Sequence, residues 1–225
     1  MRIGVIIPVK KFNKSKQRLS SVFTLEQRIE LTKNMLFDIC DVLIESSYFD
    51  EIVIVSSEDE IAKYEKYNNI THLNDDRISG VNNAVEIGNK YFIKKGFEST
   101  LVIPGDIPLI NDKVLKKFVE CIKDNQVIIT PSKSKNGTNL LFRSPPDIIG
   151  TSYDENSYFN HLDMIKNKKL RCMKYLEDSI SLDLDEPKDI QIINESLEYC
   201  RTEIMLKNRN QDIISNNEYS ALSSV

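Results

Sequence analysis

The chain is poor in the residues that build common catalytic and metal centres. Its 225 residues include four cysteines and two histidines. Cys40, Cys121, Cys172 and Cys200 make no CxxC pair, and with only His72 and His161 to join them a zinc cage of ordinary spacing is excluded. The same scatter points to a reduced, cytoplasmic protein. Long apolar runs are also missing: the longest are strand-sized, far below the roughly 20 residues a membrane-spanning helix needs. No leader-like stretch precedes the first strand, so we expect neither membrane contact nor export. With 34 acidic against 30 basic residues and a formal net charge of -4, the composition carries no footprint for nucleic acid. No Ser/His/Asp set with plausible spacing is present. No internal repeat or linker divides the chain, so we expect one domain over residues 1–208. The polar, Ser- and Asn-rich end over residues 209–225 is expected to be a frayed tail.

What the chain does have begins at its start. MRIGVIIPVKKFNKSKQRLSS runs from an apolar strand, Ile3 to Ile7, through Pro8 into a loop carrying Lys10, Lys11, Lys14, Lys16 and Arg18. The carboxyl end of a buried parallel strand is where open α/β sheets bind anions, so a cationic loop there points to a phosphate-rich ligand. A lysine-rich loop in isolation is as often a solvated surface. The overall acidity shows that this run does not simply follow composition.

Strands then alternate with amphipathic helices. Thr24 and Gln27 form a capping-box pattern, with Leu25, Ile29, Thr32, Leu36, Ile39 and Leu43 at helical spacing behind them. Glu51 to Ser57 reads as a strand, Ser57 with Glu60 as the start of a helix, and Ile70 to Leu73 as a short strand. The SGVNNAV turn, Ser79 to Val85, leads a helix from Val81. Ser99 to Asp106 is a further strand. A helix capped by Asn111 follows it and buries Val114, Leu115, Phe118, Val119 and Ile122. Strands at Gln126 to Thr130 and Asn139 to Phe142 come next. A helix from about Glu155 to Ile165, capped by Asp154, a strand near Arg171 to Tyr175 and a helix opening at Pro187 complete the pattern. This alternation predicts an α/β fold of three layers around a mainly parallel central sheet.

Carboxylates mark two strand ends. IPGDIPLI sets Asp106 just past a buried strand, after Pro104 and Gly105, where it can hold a hard cation against phosphate oxygens. SLDLDEP places Asp183 and Asp185 on one face of an extended segment that Pro187 stops. Taken singly, such an Asp is commonly a turn former and a DxD a polar turn. With the cationic loop, they are the equipment of metal-assisted phosphoryl chemistry. Gly137, Thr138 and Asn139 form a polar turn feeding a strand, and Ser157 lies in a first helical turn, where free amides favour an anion. Asn82 can read a nucleobase edge, since its amide both donates and accepts. His161 reads as a surface or packing residue.

PVKKFNKSKQRLS, GVNNAV, PGDIPL, GTNLLF, ENSYF and LDLDEP, in this order and spacing over about Met1 to Ser196, resemble the 2-phospho-L-lactate guanylyltransferase family. That family belongs to the molybdenum-cofactor-guanylyltransferase-like nucleotidyltransferases. The resemblance implies a Rossmann-like nucleotidyltransferase fold and a reaction between GTP and 2-phospho-L-lactate in the biosynthesis of the deazaflavin coenzyme F-420. By motif it implies that Pro8, Val9, Lys10, Lys16 and Arg18, with Pro104 and Gly105, hold the nucleotide and that Asn82 contacts guanine. It assigns Mg2+ to Asp106, Asp183 and Asp185, and the acceptor acid to Thr138, Asn139, Asp154 and Ser157. Lys10, Lys16, Arg18 and Asp106 would be the catalytic set, and a homodimer is common in the family. Two departures are visible. The loop after the first strand is lysine-rich where wider relatives are glycine-rich, and Asp154 stands where relatives have glycine, which sets an acidic group beside an anionic substrate unless it turns away to cap its helix. Three alternatives stay open: phosphoenolpyruvate or a phosphoglycerate as acceptor, with Phe142 and Tyr158 as the apolar wall that would favour 2-phospho-L-lactate; a DxD glycosyltransferase; and a non-catalytic GTP-binding module.

Overall fold

The structure is a computed structural model and describes residues 1–64, 70–75, 80–196 and 200–208. Ser79, the first residue of the expected SGVNNAV turn, and the expected tail over residues 209–225 lie outside the described residues. Seven strands form one sheet: β1 (Ile3–Pro8), β2 (Glu51–Val55), β3 (Ile70–Leu73), β4 (Ser99–Val102), β5 (Val127–Pro131), β6 (Thr138–Arg143) and β7 (Cys172–Lys174). Their order is β3-β2-β1-β4-β6-β5-β7. All neighbours pair in parallel except where β6, lying between β4 and β5, runs against both. The sheet is therefore mainly parallel, as the alternation predicts, with one reversed strand that alternation alone cannot reveal.

Strands covered on both faces must be apolar throughout, which is why β1 and β2 read as unbroken Ile/Val runs. One face carries α1 (Leu25–Ser46) and α3 (Asp112–Ile122), where Leu36, Ile39, Leu43, Leu115 and Phe118 meet Ile7, Ile54 and Phe142. The capping box at Thr24 and the Asn111 cap form as expected. The other face carries α2 (Val81–Lys94) and α4 (Ser157–Asn167), with Val85, Phe92, Tyr158 and Ile165 on Ile6, Val53 and Leu141. Helix α2 sits unusually close, because a Cβ on Gly88 would lie 2.8 Å from Ile6 and one on Gly4 would lie 2.5 Å from the Phe92 ring.

A third cluster joins Leu19 of the basic loop, Leu31 and Met35 of α1, Leu184, Ile193 of α6 (Pro187–Ser196) and Leu206. Residues 201–208 form a last helical segment, not foreseen from sequence. Asp38 of α1 caps it by accepting the N–H groups of Arg201 and Thr202 at 3.1 and 2.9 Å. Two further corrections concern short elements. The helix expected to open at Ser57 is a 3-10 helix, Asp59–Tyr64, and the four-residue α5 (Asp178–Ser181) is too short to leave a period in the sequence. No helix among the described residues is long and apolar enough to cross a membrane.

Candidate active site

Beyond β1 the chain is nailed down at two points. Phe12 is buried in the main core, its N–H donating to Glu58 Oε2 at 2.7 Å, and Leu19 is fully buried in the third cluster. Between them two 3-10 turns, Phe12–Lys14 and Gln17–Leu19, flank Lys16, which takes the left-handed conformation at φ 54. For a non-glycine residue this costs about 1 kcal/mol or more. The turn drives the lysine inward: its side chain is 4% exposed and its Nζ donates to Asp106 Oδ2 at 2.6 Å and Asp185 Oδ1 at 2.8 Å. Arg18 stays exposed and reaches Asp185 and Glu186 only at 3.9 and 3.8 Å.

The carboxylates come from two segments pinned together. Leu184 N–H donates to the Asp106 carbonyl at 3.2 Å, and the N–H groups of Asp185 and Glu186 donate to Asp189 Oδ2 at 3.3 and 2.9 Å. Asp189 thus locks the DxD turn from inside α6. Burial, then the nearby Asp106 and Asp185, push the Asp183 carboxyl up to about 6. Burial would also raise Asp185, but the Lys16 ammonium outweighs it and holds that carboxyl below its usual value. Burial opposes the Lys16 charge, yet Asp106 and Asp185 keep its pKa raised. The rim around them carries Lys10, Lys14 and Arg18. Three hard oxygen donors with one buried cation suit a divalent cation. Among the described residues no three carboxylate, histidine or cysteine groups are already gathered as a cage, since the lysine stands between two of the three aspartates.

Across the cavity, β6 begins with a bulge. The pairing with β5 slips between Thr130 and Pro131, from Thr130 opposite Leu140 to Pro131 opposite Thr138, which leaves Asn139 as the extra residue. Strict alternation would put Thr138 on the Leu140 and Phe142 face. The bulge turns it instead toward α4, where Thr138 Oγ1 lies 3.0 Å from His161 Nδ1 and accepts from Ser157 Oγ at 3.3 Å. Asn139 faces the other way and donates to the carbonyls of Ile180 and Ser181, so it suspends the segment that leads to Asp183. Helix α4 starts from Asn156 at φ 58 with no side-chain cap, leaving its first turn free of such a cap.

One cavity of about 570 Å³ is lined by Pro8, Val9, Lys10, Lys16, Arg18, Pro104, Gly105, Asp106, Thr138, Asn139, Ser157, Asp183 and Asp185. It lies outside the carboxyl ends of β1 and β4, at the edge where the strand order reverses. Asn82 and Asp154 do not line it. Asn82 clasps the chain before α4, its Oδ1 accepting from Tyr153 N–H at 2.7 Å and its Nδ2 donating to Asp154 Oδ2 at 3.0 Å. The helix cap expected of Asp154, and the helix start at Glu155, are therefore corrected: Asp154 is turned to Asn82, and the helix opens two residues later. The expected apolar wall is corrected too. Phe142 packs beneath α3 against Phe118, and Tyr158 is buried on the α4 side. The apolar lining comes from Val81, Val102, Leu36 and Tyr153.

Of the two expectations for His161, packing holds and surface is corrected: it is fully buried beside Tyr153, with both ring nitrogens also engaged in hydrogen bonds. Sequence reasoning also passes over Tyr153, Ser132 and Ser134, which line the cavity. Only the hydroxyls of the SKSKNG turn gave a signal that could have marked the last two.

A buried cation between two carboxylates, at the mouth of a doubly wound sheet that also presents hydroxyls to the same cavity, defines the class: a nucleotidyltransferase of Rossmann-like fold. Solved structures share that fold. A Desulfovibrio desulfuricans chain superimposes with a TM-score of 0.77 at 15% identity, covering 94% of this chain and 96% of that one. The 4-diphosphocytidyl-2C-methyl-D-erythritol synthase of Anaerococcus prevotii does so at 0.60 with 16% identity, over 86% and 95%. Within the class, the chain belongs to the family described as guanylyl transferase CofC like, whose model matches residues 3–215. Among its relatives, the 2-phospho-L-lactate guanylyltransferase of Methanocaldococcus jannaschii is 35% identical, with 84% of this chain and 81% of that protein covered. The enzyme of the same name from Methanobrevibacter smithii is 33% identical, over 82% and 80%.

Proposed function

We propose that this enzyme transfers GMP from GTP to 2-phospho-L-lactate, releasing pyrophosphate and forming lactyl-2-diphospho-5'-guanosine on the route to coenzyme F-420. The observation that carries this reading is the Lys16 ammonium, held between Asp106 and Asp185 in a cavity that also exposes Thr138 and Ser157. Such a cavity suits two anionic substrates at once. The acceptor phosphate is already a nucleophilic anion, so the absence of a general base costs nothing. One of its oxygens attacks the α-phosphorus of GTP in line. The new P–O bond forms as the bond from the α-phosphorus to the bridging β-phosphate oxygen breaks, and pyrophosphate leaves with that electron pair.

Lys10, Lys16 and Arg18 cradle the triphosphate, and Pro8, Val9, Pro104 and Gly105 shape the wall beside it. Asp106, Asp183 and Asp185 would hold Mg2+, which supplies charge neutralisation on the phosphate oxygens. The base lies at the turn ahead of α2, where Val81 lines the cavity and Asn82 ties the turn to Tyr153. The Thr138 hydroxyl, to which Ser157 Oγ donates, and the Ser157 backbone N–H at the start of α4 take the carboxylate and phosphate of the acid, while the Tyr158 N–H is held by the Asn136 carbonyl.

Because Asp154 faces Asn82, its carboxylate is not offered to an extra hydroxyl, which favours 2-phospho-L-lactate over a phosphoglycerate. The four free cysteines accord with a cytoplasmic enzyme. Homodimer formation rests on the family alone. The test is a panel of nucleotides and phosphorylated three-carbon acids, with products identified by mass. A guanylylated 2-phospholactate is expected. A higher kcat/KM for a phosphoglycerate would reassign the acceptor, and nucleotide binding without pyrophosphate release would reduce the protein to a binding module.

A further inference from the structure

His161 lies behind Thr138, and its hydrogen bonds admit only one proton arrangement. The backbone N–H of Ser152 donates to His161 Nε2 at 3.0 Å, so Nε2 must offer a lone pair. In the neutral ring the proton then sits on Nδ1, which faces Thr138 Oγ1 at 3.0 Å and donates to it. Burial, then the Arg143 guanidinium, hold the imidazole down to about 4, so the ring is neutral at physiological pH. Thr138 Oγ1 also receives the Ser157 hydroxyl at 3.3 Å. Both lone pairs of Thr138 are thereby occupied from the protein side. Its own O–H has one open direction left, toward the cavity that Thr138 lines.

We propose that His161 is a positioning residue that holds the Thr138 hydroxyl as an obligate donor to an anionic oxygen of the phosphorylated acid. Without the Nδ1–H, Thr138 can spin its proton inward and turn a lone pair toward the anion, exchanging attraction for repulsion. The β6 bulge supports this role, since only the slipped register brings Thr138 to the α4 face. Tyr153 fixes the ring from the other side, edge-on to His161 at 5.2 Å between centroids. The residue need not touch substrate, and it moves no proton during the reaction. It selects which end of a hydroxyl dipole the acceptor meets.

The proposal rests on the acceptor reading of this part of the cavity, and two measurements test it separately from that reading. The chain has two histidines, so 15N-histidine labelling gives a two-residue NMR spectrum. His161 is expected as the Nδ1–H tautomer, without titrating between about pH 5 and 8. An Nε2–H tautomer or an imidazolium at neutral pH overturns the proposal whatever the protein's activity. The kinetic arm compares two isosteres: His161→Asn keeps a donor where Nδ1 stands, and His161→Gln keeps an acceptor where Nε2 stands. Both are expected to lower Tm. His161→Gln should raise KM for 2-phospho-L-lactate about tenfold with KM for GTP unchanged, while His161→Asn stays within about threefold of the parent protein. Equal losses in the two variants, scaling with Tm, would mean a merely structural histidine. If the parent protein guanylylates no acid, the acceptor reading falls, and the tautomer still judges the proton arrangement.

Discussion

At the β1 end of the cavity nearly every group brought to the site carries a full charge: Lys16 between Asp106 and Asp185, Asp183 beside them, Arg18 and Lys10 around them. At the β6 end the groups are neutral, a threonine, a serine and a histidine kept uncharged, and they are bonded into a fixed network. In the proposed reaction both ends face anions, yet they are built to opposite rules. The charged end is frustrated as it stands, with Asp183 crowded by like charges until a cation or a proton relieves it. The neutral end is satisfied as it stands and is spoiled by a proton. A polyphosphate carrying its own metal needs the first arrangement, and a small acid that must be oriented needs the second.

The strongest way to break this contrast is to remove charge from the β1 end. Asp106→Asn or Asp183→Asn should lower kcat by on the order of a hundredfold or more, as for loss of a key electrostatic group, with the fold retained. Chelating Mg2+ should abolish turnover of the parent enzyme. Near-normal kcat in both variants at saturating Mg2+ would show that the carboxylates are not the metal ligands.

Acid sharpens the contrast, because the two ends respond with opposite signs. Asp183 titrates near 6 in the fold against 3.8 when free, so the folded state binds the extra proton and stability rises as pH falls through 6 toward 3.8. His161 titrates near 4 against 6.5, so the unfolded state binds the extra proton and stability falls as pH drops from 6.5 toward 4. Each effect is at most about 3 kcal/mol. The two oppose each other in urea denaturation of the metal-free protein, so removing either one isolates the sign of the other. Asp183→Asn should expose a loss of stability in acid, and His161→Asn a gain. Identical pH slopes in the two variants would refute the assignment.

A smaller effect separates the substrates. Lys16→Ala should raise KM for GTP, while Ser157→Ala should raise KM for the acid about tenfold and leave KM for GTP alone. A crossed result would exchange the two ends. Smallest is the control: Thr24→Ala removes the capping box of α1, neither residue of which lines the cavity, and should cost about 1 kcal/mol of stability with every kinetic constant preserved.

The charged end was largely legible in the sequence, because lysines and aspartates at strand ends signal themselves by type and place. Lys10, Lys16, Arg18, Asp106, Asp183 and Asp185 were all nameable, and all line the cavity. What could not be read was the left-handed turn that buries Lys16 while Arg18, two residues on, stays exposed. The neutral end was half legible. Thr138 and Ser157 stood out as a turn and a helix start, but the bulge depends on pairing with β5, and the His161 tautomer depends on the backbone of Ser152. The Asn82–Asp154 clasp joins residues 72 positions apart, a distance over which one sequence carries no local signal. The strands and long helices followed from apolar periodicity, whereas the direction of β6 did not, since an apolar run reads the same both ways.

That reversed strand has a consequence for how the enzyme can change. In a wholly parallel sheet each strand offers the cavity only the loop after it, and that loop must also carry the chain into a crossover helix. Because β6 runs backward, the β5–β6 connection is a short hairpin opening on the cavity, with Ser132, Ser134 and Gly137 on its lining. A hairpin can be lengthened, shortened or recoloured without re-routing a helix. Under the proposed function, changing Ser132, Ser134 or Gly137 is the route to a different acid, whereas Lys133 must stay, since its N–H donates to the Ser181 carbonyl at 2.7 Å and its ammonium lies 3.7 Å from Asp189, which locks the DxD turn.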